Sequence, residues 1–176
     1  MFMIMNSELR KLYVWLVANK LSINLSKTHY VLFRPGRLEP TICPELLLNG
    51  SPLERKYSTT FLGVIIDSKL SWGEHISHIK SKIAKNIGII SRARHALNDT
   101  TMKTLYYAFI HPYLTYCLEI WGAATNSRLQ SIYRLQKLSC RIISHSPPRT
   151  PTLALLRSMR LLSLHQLYEL SIMLYV

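Results

Sequence analysis

The sequence predicts an α+β protein, a small strand-bearing piece followed by a helical bundle, and three observations carry that expectation. Hydrophobic spacing changes from short β-branched and aromatic runs before Asp67 to long three- and four-residue steps after Ser71. Asn49-Gly50 marks a tight turn between two apolar runs, because both positions of such a turn need positive φ. Hydrophobic residues make up 48% of the 176, enough to fill a core. The length fits one domain, or part of one joined to a second small one.

Each element follows from local pattern. Residues Ser7 to Lys20 read as a helix, with Ser7 as N-cap and Leu9, Leu12, Tyr13 and Leu16 on one face. His29 to Arg34 alternates as a strand does and stops at Pro35-Gly36. Glu45 to Leu48 and the run from Leu53 towards Tyr57 flank the turn Asn49-Gly50-Ser51-Pro52. Phe61 to Asp67, with Val64, Ile65 and Ile66 in succession, reads as a buried strand. This part is too small for a closed sheet domain.

Helices follow. Ser71-Trp72-Gly73-Glu74 fits a capping box, in which the Ser hydroxyl and the Glu carboxylate satisfy amides at a helix start. The helix it opens carries Ile76, Ile79, Ile83, Ile87 and Ile90 as one apolar stripe. At about 100° per residue, His78, Lys82, Lys85 and Arg92 fall on the opposite side. A second helix follows Asn98-Asp99, with Asp99 as its cap. A third follows Asn126-Ser127 and sets Arg134, Lys137 and Arg141 in a row. Pro147-Pro148 and Pro151 end it, and two shorter helices close the chain. The expected boundary divides residues 1–68 from 69–176, with no internal repeat.

The charge is lopsided: 22 Lys and Arg stand against 9 Asp and Glu, a formal net charge of +13. Such an excess suits a polyanion, either nucleic acid or an anionic membrane surface, or else marks a fragment parted from an acidic segment. The most hydrophobic stretch, Leu105 to Ala124, is interrupted by His111, Pro112 and Glu119. A membrane span needs about 20 mostly apolar residues in succession, so this stretch reads as a buried helix pair. The apolar start at Met1 to Met5 is too short for a signal peptide and has no basic flank before it.

Cys43, Cys117 and Cys140 form no C-x-x-C pair, which argues against a zinc ribbon or a disulfide framework and for a reducing compartment. His75 and His78 have metal-compatible spacing but no third ligand, so no metal site is expected. Tyr106, Tyr107, Phe109, Tyr113, Tyr116 and Trp121 lie in an apolar stretch and read as core rather than as base-stacking groups.

Four blocks in order carry a resemblance. They are Trp15 with Asn19-Lys20-Leu21-Ser22-Ile23-Asn24 and Ser26-Lys27-Thr28; Phe61-Leu62-Gly63-Val64-Ile65-Ile66-Asp67; Leu70-Ser71-Trp72 with His75-Ile76 and Ile79; and Leu105-Tyr106 leading to Pro112-Tyr113-Leu114 and Trp121-Gly122. In order and spacing they resemble the non-LTR (LINE-type) retrotransposon reverse transcriptases, from about Leu9 to the C-terminus. The resemblance implies that the first block ends the palm, with Lys27 in the place of a lysine that protonates departing pyrophosphate. The bland alternative for Lys27 is a solvated lysine in a turn. It implies that Phe61-Leu62-Gly63 belongs to the primer grip, a β-hairpin beside the growing 3′ end. Gly63 would there let the protein backbone approach the primer closely, or merely serve a bulge or a tight packing contact.

The helices after Trp72 would be the thumb, packed along the template–primer duplex. His78, Lys82, Lys85, Arg92, Arg134, Lys137 and Arg141 become candidate phosphate contacts, beside Phe61, Leu62 and Gly63 at the primer. Polymerases of this kind hold two Mg²⁺ ions on converging aspartates. This chain has only Asp67 and Asp99, neither with an acidic neighbour. The expectation is therefore an N-terminally truncated polymerase, inactive alone, whose aspartate turn, palm and fingers would lie upstream of Met1. Mg²⁺ belongs to the complete family enzyme, and this chain is expected to hold no cofactor and no catalytic residue beyond the accessory Lys27. The alternatives are a stand-alone basic nucleic-acid-binding module or a nonfunctional remnant of a degenerate element. The family's work on chromosomal DNA implies the nucleus, though the chain shows no localisation signal of its own.

Overall fold

The computed structural model describes residues 2–33 and 45–174, and the chain divides into two compact units, Met1–Ser71 and Trp72–Val176. The first combines helix α1 (Phe2–Ala18) and a 3₁₀ turn at Leu25–Lys27 with short strands: β1 (His29–Val31), β2 (Leu47–Leu48), β3 (Ser51–Pro52), β4 (Glu54–Lys56), β5 (Ser58–Phe61) and β6 (Val64–Asp67). They pair two by two: β1 with β4 in parallel, and β2 with β3 and β5 with β6 as antiparallel hairpins. The mixed α+β class is as the sequence predicts.

Helix α1 begins ahead of its predicted start, because the apolar run Phe2 to Met5 continues the helix and leaves Ser7 within it rather than at its cap. It ends where Lys20 turns left-handed (φ 57°), and the Asn19 side chain donates to the Trp15 carbonyl at 2.8 Å. Asn6 ties the helix to the first hairpin: its Nδ2 donates to the Glu45 carbonyl (3.0 Å) and its Oδ1 accepts from the Leu47 amide (2.8 Å).

Asn49 (φ 51°) and Gly50 (φ 76°) make the expected tight turn. Ser51 and Pro52 are already strand, paired with Leu48 and Leu47. The predicted strand from Phe61 to Asp67 is corrected: Phe61 closes β5, Val64 opens β6, and Leu62-Gly63 is a two-residue turn with both φ positive (46° and 81°). The β-forming Ser58-Thr59-Thr60 run upstream supplies the second strand. Of the predicted strand His29 to Arg34, β1 covers His29–Val31; Arg34, Pro35 and Gly36 lie outside the described residues.

The second unit holds α2 (Gly73–Ala93), α3 (Asp99–Phe109), α4 (His111–Thr115), α5 (Leu118–Trp121), α6 (Asn126–Ile143), α7 (Thr152–Ser158) and α8 (Leu164–Met173). All five isoleucines of the α2 stripe are buried, and the helix packs against α6. At about 2 kcal/mol for each buried aliphatic side chain, that stripe anchors the bundle. The predicted capping box does not form. The Ser71 hydroxyl and amide both donate to the Asp67 carboxylate, and Trp72, left-handed at φ 62°, precedes α2 without a side-chain cap.

At α3 the cap is Asn98, whose Oδ1 accepts from the Thr101 amide at 2.9 Å, and Asp99 is the first helical residue. The stretch Leu105 to Ala124 is not a helix pair but parts of three helices, broken at Ile110 and at left-handed Cys117 (φ 51°). Pro112 sits in the first turn of α4, where a missing amide costs nothing. Trp121 is fully buried, and its indole donates to the Tyr116 carbonyl at 2.9 Å. Ser163 and Gln166 form a true capping box at the start of α8. Among the described residues no helix is long and apolar enough to cross a membrane.

Inside the bundle, the fully buried Gln136 joins three elements. Its Nε2 donates to the Tyr106 hydroxyl (3.1 Å) and the Leu162 carbonyl (2.9 Å), and its Oε1 accepts from the Leu164 amide (2.9 Å). Gly122, at the end of α5, leaves room for Tyr168: a Cβ there would sit 2.3 Å from the Tyr168 ring.

Candidate nucleic-acid interface

Because the α2 isoleucines are buried, helical geometry turns His78, Lys82, Lys85 and Arg92 outward. All four are exposed, and no hydrogen bond or ion pair within the described residues engages any of them. Lys80, on the flank of the stripe, is exposed with them. In helical projection it lies nearer the isoleucines, so periodicity does not single it out. Like charges three residues apart, such as Lys82 and Lys85, repel by a few tenths of a kcal/mol unless an outside anion relieves them.

The α6 row divides. Arg134 is exposed. Lys137 lies half-buried with its ammonium 4.3 Å from the centre of the Tyr133 ring, a cation–π contact. Arg141 is turned inward to the chain: its Nε donates to the Thr150 carbonyl (3.2 Å) and its Nη2 to the Thr152 hydroxyl (3.0 Å). It fastens the proline-rich connection to α6. Each of these two follows a buried position, Gln136 and Cys140, which draws its stem towards the protein.

In the first unit the β5–β6 hairpin exposes two large apolar side chains at its tip. Phe61 is 63% and Leu62 74% exposed. A leucine held left-handed costs about 1 kcal/mol or more, so the tip is both apolar and strained. Lys27 ends the 3₁₀ turn and is exposed, with the Thr28 hydroxyl donating back to the Asn24 carbonyl at 2.8 Å. Two residues on, His29 Nε2 and Thr59 Oγ1 are hydrogen-bonded at 2.7 Å, which links β1 to the hairpin. Nothing in the spacing of the sequence signals that link.

The groups weighed for other chemistry fall elsewhere. Both Asp67 carboxylate oxygens accept from local groups: Oδ1 from the Lys69 and Ser71 amides, Oδ2 from the Ser71 amide and hydroxyl. Asp99 is exposed, its Oδ1 3.7 Å from His145 Nε2. His75 is buried, edge-on to Trp121 with centroids 6.0 Å apart, while His78 faces solvent, so the pair does not converge. Burial, with some help from His78, lowers the His75 pKa. Among the described residues no three His, Cys, Asp or Glu side chains gather as a metal site would require. Burial pushes the Cys140 thiol up to about 12, against the pull of its Ser139 hydrogen bond and of Arg141, which leaves it inert. Of the aromatics read as core, Tyr106 and Trp121 are buried, whereas Tyr107, Phe109 and Tyr116 are exposed.

Fold and surface together define a basic α+β chain whose cations gather on exposed helix faces. Its similarities to known proteins are consistent in kind. It is 28% identical over 134 residues to a probable RNA-directed DNA polymerase from transposon X-element of Drosophila melanogaster, covering 74% of this chain and 14% of that protein. It is 30% identical over 137 residues to the RNA-directed DNA polymerase from mobile element jockey of Drosophila funebris, covering 76% of this chain and 14% of that protein. The jockey polymerase of Drosophila melanogaster is 31% identical over 109 residues. By sequence the chain is thus related to the RNA-directed DNA polymerases of non-LTR retrotransposons, and it matches a fragment of them. No family model matches the chain, and no solved structure does.

Proposed function

We propose that the chain is the part of a retrotransposon RNA-directed DNA polymerase that holds the template–primer duplex, with residues 1–68 the end of the palm and 69–176 the thumb. The observation that carries this reading is the outward face of α2, where Lys82, Lys85 and Arg92 stand exposed, with no ion pair among the described residues, opposite a buried isoleucine stripe. From Lys82 to Arg92 the helix rises about 15 Å. That length matches about four base-pair steps of a duplex, enough to meet successive phosphates. His78 and Arg134 extend the basic surface on α2 and α6, and Lys137 adds a partly covered charge. Arg141 contributes by fastening the connection after α6.

In the first unit, the exposed tip of Phe61, Leu62 and Gly63 rests against the primer, and Lys27 offers its proton to departing pyrophosphate once the polymerase is complete. Among the described residues neither aspartate suits Mg²⁺: Asp67 is occupied by the Lys69 and Ser71 groups, and Asp99 has no acidic neighbour in sequence. When bound in a complete site, the ions would activate the primer hydroxyl and neutralise the leaving group. Here the residues bind and orient, with a further palm and fingers as structural partners. Chromosomal DNA as the target would place the work in the nucleus.

The salt dependence of duplex binding tests this. Replacing Lys82, Lys85 and Arg92 by Ala together is expected to flatten the slope of log affinity against log salt by about 0.9 for each phosphate no longer neutralised, about 2 to 3 in all. An unchanged slope would return the three residues to a solvated face and remove the reading's main support.

A further inference from the structure

A groove between α3, α4 and α8 has no part in the duplex reading. Its volume is about 370 Å³, near the lower end of the range of small-ligand sites. The floor is apolar, formed by leucines of α8 and of the loop before it. Tyr107 stands at the wall, 43% exposed, with His111 beside it at 5.1 Å between ring centroids and a 48° tilt. Thr115, Ser171 and Arg160 also line it; the two hydroxyls donate to the His111 and Tyr168 carbonyls (3.0 and 2.8 Å), which leaves their oxygens to act as acceptors.

The chemistry of these groups is complementary to one kind of ligand. An exposed aromatic ring offers a stacking face to any base, and hydroxyls can meet a base edge. The Arg160 guanidinium has no acceptor among the described residues, so it is available to a phosphate. No Asp or Glu lines the groove. The unit around it is strongly basic: Trp72–Val176 carries thirteen Lys and Arg against four Asp and Glu. Burial lowers the His111 pKa, so at neutral pH its ring can donate or accept beside Tyr107 without adding charge. An apolar protein segment would fill the floor but leave the Arg160 guanidinium without use.

We propose that the groove takes an unstacked nucleotide of a single strand, its base against Tyr107 and its phosphate at Arg160. This is a second contact, separate from the α2 face, and it rests on nucleic acid being the partner of the helical unit. A strand leaving a duplex would present such a base, whereas a base within a duplex could not enter.

The test uses the full chain and two fluorescent single strands of equal length, oligothymidylate and an abasic strand with the same backbone. Oligothymidylate is expected to bind about tenfold more tightly, as base stacking on one aromatic ring provides. Tyr107→Leu, which keeps the apolar volume, is expected to erase that difference, and Tyr107→Phe to keep it. Arg160→Gln is expected to weaken both strands. Equal binding of the two strands by the parent protein would overturn the inference, and is what a groove filled by an apolar protein segment predicts; a difference that survives Tyr107→Leu would overturn it as well. Duplex binding separates the two readings. If duplex binds with the steep salt slope while bases make no difference, only the groove inference falls. If neither duplex nor single strand binds, the proposed function falls with it.

Discussion

Gln136 lies in the interior of the helical unit, and among the described residues the three groups it joins have no other hydrogen bond. Tyr106 reaches it from α3, while the Leu162 carbonyl and the Leu164 amide belong to the turn into α8. Gln136→Leu keeps the volume but leaves those groups without the amide they bond. Each unpaired buried group costs about 1–3 kcal/mol, and local relaxation recovers part of the sum. The expected loss is about 3 kcal/mol, read as a lower urea midpoint at unchanged slope. A loss below about 1 kcal/mol would mean that water replaces the amide and that the network is not a structural tie. A single buried glutamine on a basic amphipathic helix gives no sign of this role in sequence, because its importance comes from partners 26 to 30 residues away.

Judged by hydrophobic period alone, α2 is the most legible element and the β5–β6 hairpin the least, although the resemblance to the primer grip implied a hairpin at Phe61-Leu62-Gly63. The α2 stripe repeats at helical period over its whole length, so the faces of His78, Lys82, Lys85 and Arg92 follow from geometry alone. The hairpin depends on a leucine adopting left-handed backbone, which local preference argues against, and the run Phe61 to Asp67 therefore reads as one strand. The start of α2 was obscured for another reason. Asp67 competes for the Ser71 hydroxyl that the capping box would use, and a competitor four residues upstream lies outside the four-residue pattern. The α6 row shows the same limit, since spacing aligns Lys137 and Arg141 but cannot foresee the Tyr133 ring or the Thr150 carbonyl beside them.

The strained turn makes its own prediction. Asn-Gly is the favoured pair for a two-residue turn with both φ positive. Leu62→Asn is therefore expected to stabilise the hairpin by about 1 kcal/mol, because asparagine tolerates left-handed backbone far better. It also removes an exposed apolar tip. If that tip contacts the primer, the variant unfolds at higher denaturant yet binds duplex more weakly. Higher stability with undiminished binding would remove Leu62 from the interface.

At the scale of the whole molecule, charge and carboxylates are unevenly shared, and this sets what the chain does alone. Met1–Ser71 carries nine Lys and Arg against five acids, while Trp72–Val176 carries thirteen against four. In the proposed function, binding of a polyanion falls chiefly to the helical unit. Nucleotide addition requires carboxylates that converge on two metal ions, and the two aspartates here are engaged or isolated. With primer–template, nucleotides and Mg²⁺, the purified chain is expected to bind duplex and incorporate nothing above background. Added Mg²⁺ should then act only as a competing counterion and loosen the complex, as monovalent salt does at higher concentration. A metal held between protein carboxylates and the duplex would do the opposite and tighten it. Incorporation, or tightening by Mg²⁺ at constant ionic strength, would show that this chain assembles a metal site its described carboxylates do not provide.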